Sequence, residues 1–228
     1  MSVVSPASPT DFVGNIPPIR NPLLSRQVEE FPILLRRYRL ALALFVASFA
    51  MLFAGFSSAY VVRRGIPTYD AASGAYSAAW EPLRLPIGLL LLNSCLLISA
   101  SGAIEVVRRR TKAPAYTEEE IKHGVVPLWL NASLLLGTGF LLGQGIAWHS
   151  LASNGQFLST GARTAFFYVL TGAHGVHALL GVVFTASIAV CYARMSPTWR
   201  YLAVDLTAWY LHSITLLWIY LFCFVLFA

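Results

Sequence analysis

The sequence predicts an all-α membrane protein, a bundle of five transmembrane helices with the N-terminus in the cytoplasm and the C-terminus on the outer side. Of the 228 residues, 57% are hydrophobic and only 11% are charged, whereas a soluble domain carries about 25% charged residues. The chain also holds five apolar stretches near the length, roughly 20 residues, that a helix needs to cross a bilayer. Its basic residues lie mainly between alternate pairs of these stretches, and this distribution predicts the orientation.

The predicted spans occupy most of the chain after an N-terminal segment. They cover residues 40–62, 85–104, 125–148, 164–192 and 206–228. Together with a short approach they form a membrane domain over residues 36–228. Residues 1–35 are predicted to be a flexible cytoplasmic segment, because their first part is rich in Pro and Ser. The first 39 residues lack the apolar core and cleavage site of a signal peptide, so we expect the first span to remain as an anchor.

The basic residues orient the bundle. Twelve of the sixteen Lys and Arg residues lie before the first span, between the second and third, or between the fourth and fifth. Since cytoplasmic segments are enriched in Lys and Arg, these segments are predicted to be cytoplasmic. The net charge of +6 therefore relates to topology and lipid headgroups, and nucleic-acid binding is not expected.

Small residues recur within the spans. Gly139 and Gly143 are four apart in the third span, and Gly172 and Gly175 lie in the fourth. Helices in lipid associate through close packing of small residues. These glycines are therefore predicted to lie at helix–helix contacts.

Acidic residues are absent from the middle of every predicted span. Glu105 and Asp205 lie at the predicted cytoplasmic ends. Proton and cation carriers need ionisable groups at depth, so this distribution argues against such a carrier. A small transporter nevertheless stays open as an alternative function, as does an electron carrier resembling cytochrome b.

Three histidines lie inside predicted spans, His174 and His177 in the fourth and His212 in the fifth. Histidine is a common metal and haem ligand, but His177 and His212 are predicted to lie at different depths, which does not suit one bis-histidine haem. The three cysteines form no C-x-x-C-H haem-attachment motif. We therefore expect the histidines to make hydrogen bonds between helices or to a partner, and we assign no catalytic, cofactor or metal residue. A membrane serine protease would need a nucleophile in a G-x-S-type turn at a depth matching the histidine, and the sequence offers none at that depth.

The segment 171–177 reads T-G-A-H-G-V-H and resembles the T-G-F-H-G-L-H signature of subunit III of haem-copper terminal oxidases. Tyr210, His212 and Trp218 match the family pattern Y-W-H-F-x-D-x-x-W in register, and Gln144 lies where the family has a similar residue. The resemblance covers about residues 36–228. It implies the short bacterial form with five helices, since mitochondrial members have seven.

Three positions depart from the family pattern. Many members carry an acidic residue where this chain has Phe49, Ala147 and Thr215. Any role that depends on those acids is not expected to carry over unchanged. A related subunit found beside nitric oxide reductases is therefore a second alternative.

The resemblance implies an accessory subunit III of a bacterial cytochrome c oxidase, a multi-pass protein of the inner (cell) membrane. Its main contact would be subunit I, with subunit II and other respiratory subunits nearby and phospholipid bound to it. Haems and copper would lie in partner subunits and none in this chain. The complex reduces O2 and translocates protons. This chain would stabilise subunit I and support proton uptake without catalysing the reaction.

Overall fold

The computed structural model describes residues 22–70, 74–77, 85–112 and 124–227. The helices are α1 (Pro22–Gly65), α2 (Ile87–Lys112), α3 (Val125–Ser153), α4 (Ala162–Cys191) and α5 (Pro197–Phe227). A short 3-10 helix, Tyr192–Arg194, follows α4. Between α1 and α2, strands β1 (Thr68–Asp70) and β2 (Ala75–Ser77) pair antiparallel with Tyr69 opposite Tyr76. Gly74 precedes β2 with a φ of 63°, a left-handed conformation that glycine adopts without steric cost.

Five helices are long and apolar enough to cross a membrane, as the sequence predicts. Some of them extend beyond the predicted apolar stretches. Helix α2 continues past residue 104 to Lys112, and the basic residues of its last turn stabilise the negative end of the helix dipole. Helix α1 begins at Pro22, within the segment for which the composition predicts flexibility. Residues 1–21 of that segment lie outside the described residues.

The chain divides into two units at Arg37. The structure describes the first unit only over the helical residues 22–37. The second unit, residues 38–228, contains the rest of α1 and the other four helices.

Helices α2 to α5 form a closed ring in which each helix packs against two neighbours. The close pairs are α2 with α3, α3 with α4, α4 with α5, and α5 with α2. Large apolar side chains fill the middle of the ring, where Leu97 of α2, Phe140 of α3 and Trp218 of α5 are at most 3% exposed. The ring therefore encloses a core that is separate from any lipid-facing surface.

Helix α1 meets the ring through long aromatic side chains. Phe49 lies against His177 of α4, with ring centroids 4.5 Å apart, and Phe45 stacks near Tyr210 of α5 at 6.2 Å. Farther along α1, Tyr60 contacts Phe166 at 5.5 Å. Because these rings keep the helix backbones apart, α1 leaves apolar grooves beside the ring.

Candidate functional site

Polar side chains form two groups in the helix assembly, one that is buried and one in which only Asp205 is completely buried. The central node consists of Asn93, Ser94, Gln144, His174 and Trp218, and it draws side chains from α2, α3, α4 and α5. The charged cluster consists of Arg39, Glu105, Arg108, Asp205 and His212, and it joins α1, α2 and α5.

Aromatic rings pack against His174 in the central node. The imidazole of His174 lies 5.7 Å from the ring of Phe140 and 5.1 Å from that of Trp218, measured between centroids. Trp218 donates its indole N–H to the hydroxyl of Ser94 at 2.9 Å, and Ser94 in turn donates to the carbonyl of Leu90. The node thus fixes the packing of α2 against α5.

Three members of the central node have no hydrogen-bond partner among the described residues. They are Asn93, Gln144 and His174, whose exposed fractions are 0%, 2% and 0%. The amide of Asn93 lies so close to the backbone of Gly143 that a Cβ at that position would overlap it. Glycine at 143 therefore makes room for a polar group in the core.

The charged cluster centres on Asp205, whose side chain is completely buried. Arg39 donates two hydrogen bonds to its carboxylate, from Nε to Oδ2 at 2.9 Å and from Nη2 to Oδ1 at 2.8 Å. Arg108 approaches the same carboxylate at 3.4 Å. Such paired donors suit a carboxylate geometrically and compensate for the cost of burying its charge.

Glu105 and His212 extend the cluster along α2 and α5. Glu105 accepts hydrogen bonds from Arg108 at 2.7 Å and from Arg109 at 2.8 Å. His212 pairs with the hydroxyl of Ser101 through Nδ1 at 2.5 Å, while its Nε2 lies 3.3 Å from Glu105. His212 therefore contacts the ion-pair network that Glu105 forms with the two arginines.

Sequence reasoning treated Glu105 and Asp205 only as groups at span ends and did not pair them. The available signal was the position of Arg39 and Arg108, since both lie at the same predicted end as the two acids. The same reasoning did not single out Asn93, although it is an amide in the middle of the second predicted span.

The other histidine of the 171–177 segment has a different environment from His174. His177 bonds through Nδ1 to the carbonyl of Ala173 at 2.7 Å and faces Phe49 of α1. Its own carbonyl accepts a hydrogen bond from the hydroxyl of Tyr210 at 3.0 Å. His174, His177 and His212 thus lie in three separate environments. In the described ranges no group of three or more His, Cys, Asp or Glu residues is arranged to hold a metal.

The predicted packing glycines differ in how tightly they are enclosed. An added Cβ at Gly139 would lie 3.7 Å from Leu96, and one at Gly175 would lie 3.7 Å from Trp148, both ordinary contacts. At Gly172 an added Cβ would meet no described atom within 4 Å. Closer approaches occur at Gly143, at Gly181, where the added atom would lie 2.9 Å from Leu211, and at Gly137, where it would lie 3.1 Å from Val182.

The positions that lack the family's acids are occupied by packed side chains. Phe49 covers His177, and Ala147 lies in the core with no exposed surface. Thr215 donates to the carbonyl of Leu211 in its own helix at 2.8 Å. These positions carry no charge in this chain.

Known proteins align with nearly all of the helix assembly. Residues 30–228 match the family model for cytochrome c oxidase subunit III. The chain is 25% identical over 195 residues to cytochrome c oxidase subunit 3 of Struthio camelus, an alignment covering 84% of this chain and 69% of that protein. It is also 25% identical over 186 residues to the probable cytochrome c oxidase subunit 3 of Nocardia farcinica, covering 81% of this chain and 84% of the relative.

The family match includes all five membrane-crossing helices and both polar groups. It favours an oxidase subunit over the small transporter, the electron carrier and the partner of a nitric oxide reductase. The chain is a multi-pass membrane protein, and it belongs to the cytochrome c oxidase subunit III family.

Proposed function

We propose that this chain is the accessory subunit III of a bacterial haem-copper cytochrome c oxidase in the inner (cell) membrane. It packs mainly against subunit I, with subunit II and other respiratory subunits in the same complex, and it stabilises subunit I during O2 reduction. The observation that supports this proposal is the family match over residues 30–228, which covers all five helices that are long and apolar enough to cross a membrane.

In the proposed complex, the haems and copper lie in the partner subunits. A haem bound by two histidines needs both imidazoles directed at one iron. Here His174 is enclosed by Phe140 and Trp218, and His212 is engaged by Ser101 and Glu105. These contacts support structural roles for the histidines.

The grooves beside α1 support a role in binding phospholipid. One groove of about 580 Å³ lies between α1, α4 and α5 and is lined by side chains such as Phe45, Phe184 and Leu206. A second, of about 430 Å³, lies between α1 and α5, and Arg39 lines it. Apolar walls suit acyl chains, and a partly exposed guanidinium suits a lipid phosphate.

A contribution to proton uptake is supported by the charged cluster. The predicted orientation puts Glu105, Asp205 and His212 at the cytoplasmic side, from which an oxidase takes up protons. Carboxylates and imidazoles are groups that can exchange protons with water. The cluster would hold these groups on rigid helices.

The test is to purify the oxidase from a strain expressing this chain and from one lacking it. We expect the chain to co-purify with subunits I and II. Removing it should leave the haem spectrum unchanged while the enzyme loses activity faster during turnover and takes up protons more slowly. Loss of haem in proportion to loss of the chain, or co-purification with a nitric oxide reductase instead, would contradict the proposal.

A further inference from the structure

The central node contains more hydrogen-bonding capacity than the described residues use. Asn93 and Gln144 each bury an unpartnered amide nitrogen and oxygen, and His174 buries both ring nitrogens without a partner. Burial of such groups is unfavourable unless they are hydrogen-bonded, and native proteins satisfy nearly all of them. Three residues with six unpartnered atoms in one region therefore require a shared explanation.

Contacts between the helices place these three side chains at one level of the ring. Asn93 of α2 lies against Gly143 of α3, the residue next to Gln144. Gln144 lies one helical turn from Phe140 and one turn from Trp148. Phe140 contacts His174, and Trp148 donates its indole N–H to the hydroxyl of Thr171 on α4. Gln144 therefore faces the stretch of α4 that contains His174.

Neither lipid nor a partner subunit can reach the node directly. Asn93, Gln144 and His174 are at most 2% exposed, and Phe140 and Trp218 beside them are equally enclosed. The missing partner must be small enough to be held inside the ring.

The chemistry of the six atoms selects the class of partner. Each amide offers a donor and an acceptor, and a neutral imidazole offers one of each in either tautomer. A cation would satisfy only the acceptors, and an anion only the donors. Water both donates and accepts, and a buried water typically makes about three hydrogen bonds to groups of this kind.

We infer that one or more ordered water molecules occupy the central node and bridge Asn93 of α2, Gln144 of α3 and His174 of α4. The water completes the hydrogen bonding of side chains that do not bond one another. It links three helices of the ring.

Radiolytic labelling of the full-length chain in membranes tests this inference. X-rays generate hydroxyl radicals from water, so a side chain closed to bulk solvent is oxidised only where bound water lies next to it. Phe140, which is 0% exposed and contacts His174, is compared with Phe53, which is 1% exposed and belongs to an apolar cluster with Leu170 and Leu221. We expect oxidation of Phe140 and not of Phe53. Equal labelling of the two phenylalanines overturns the inference, and this comparison needs no variant.

Variants separate bound water from transient opening of the ring. Gln144→Met retains much of the side-chain shape but removes the amide, so the oxidation of Phe140 should be lost. Thr185→Val is the control, because Thr185 is 1% exposed and bonds only the carbonyl of Gly181 in its own helix. It should leave the labelling of Phe140 unchanged. Labelling of Phe140 that persists in Gln144→Met would show that the ring opens, and would overturn the inference.

Discussion

Asp205 illustrates how a single residue in this chain depends on its neighbours. Its carboxylate has no exposed surface, and it receives two hydrogen bonds from Arg39. A buried carboxylate without such donors would be strongly unfavourable, whereas a paired one can hold helices in register. The residue therefore acts through its pairing with the arginine on α1.

We predict that Asp205→Asn destabilises the chain by about 1–3 kcal/mol, because Arg39 and Arg108 lose a charged acceptor and remain partly buried. The free energy of unfolding is measured by denaturant titration in mild detergent. Arg109→Gln is the matched control, since Arg109 is 78% exposed and its pairing with Glu105 is at the surface. It should change stability by at most about 0.5 kcal/mol. Equal effects of the two variants would contradict a structural role for the buried carboxylate.

His174 and His177 show that spacing along a helix does not decide which neighbour a side chain meets. They are three residues apart, yet His174 packs against Phe140 and Trp218 inside the ring whereas His177 faces Phe49 of α1. The segment 171–177 thus contacts α3 and α5 inside the ring and α1 outside it. This arrangement accounts for two histidines in one short motif without a shared ligand.

At the scale of elements, the two sides of α4 differ in packing. On one side Gly181 lies against α5, where an added Cβ would come within 2.9 Å of Leu211 and 3.5 Å of Tyr210. Gly172, on the same helix, has open space around its Cα hydrogens. Glycine content alone therefore does not identify the contact.

We predict that Gly181→Leu destabilises the chain by about 1–3 kcal/mol, because the larger side chain must push α5 away or displace Leu211. Gly172→Leu introduces the same side chain into the same helix and should cost less than about 1 kcal/mol. Unfolding of both variants is followed in detergent by the same titration. If Gly172→Leu were the more damaging variant, the assignment of the close contact to Gly181 would be wrong.

Helix α1 is the element attached least closely. Its contacts with α4 and α5 are made by aromatic rings 4.5 to 6.3 Å apart and by the Arg39–Asp205 pair. This mode of packing leaves the two grooves of about 580 and 430 Å³. Helix α1 therefore lines both grooves, while the ring of α2 to α5 remains closed.

At the scale of the whole molecule, the charged cluster lies at the same end of the assembly as most of the basic residues. Arg39, Arg108 and Asp205 lie at the end of the ring that the distribution of Lys and Arg predicts to be cytoplasmic. The β1–β2 hairpin follows the opposite end of α1. The two ends of the assembly thus differ in charge.

The predicted orientation is tested by labelling single cysteines in intact inverted and right-side-out vesicles. The three native cysteines, Cys95, Cys191 and Cys223, are first replaced by Ser. A membrane-impermeant thiol reagent should then modify Asp70→Cys from the outer side and Lys112→Cys from the cytoplasmic side. Modification of Lys112→Cys from the outer side would reverse the orientation.

The sequence by itself determined that the chain has five membrane-spanning helices. Backbone N–H and C=O groups without hydrogen bonds are costly in lipid, so an apolar stretch of about 20 residues crosses the bilayer as a helix. The contiguous segment 171–177 also indicated the protein family, because its sequence resembles the subunit III signature. Helix ends were less predictable, since α2 continues to Lys112 through polar residues that hydropathy assigns to a loop.

Only the tertiary structure decided which polar groups meet. Arg39 and Asp205 are 166 residues apart, and Ser101 and His212 are 111 apart, so no local pattern specifies either pair. The same holds for Asn93, Gln144 and His174, which come from three helices and share one level of the ring. Their meeting depends on how the helices rotate and pack against one another. That choice is made by the shapes of side chains such as Phe140 and Trp218 and by the space left at Gly143, properties that hydrophobic patterning does not contain.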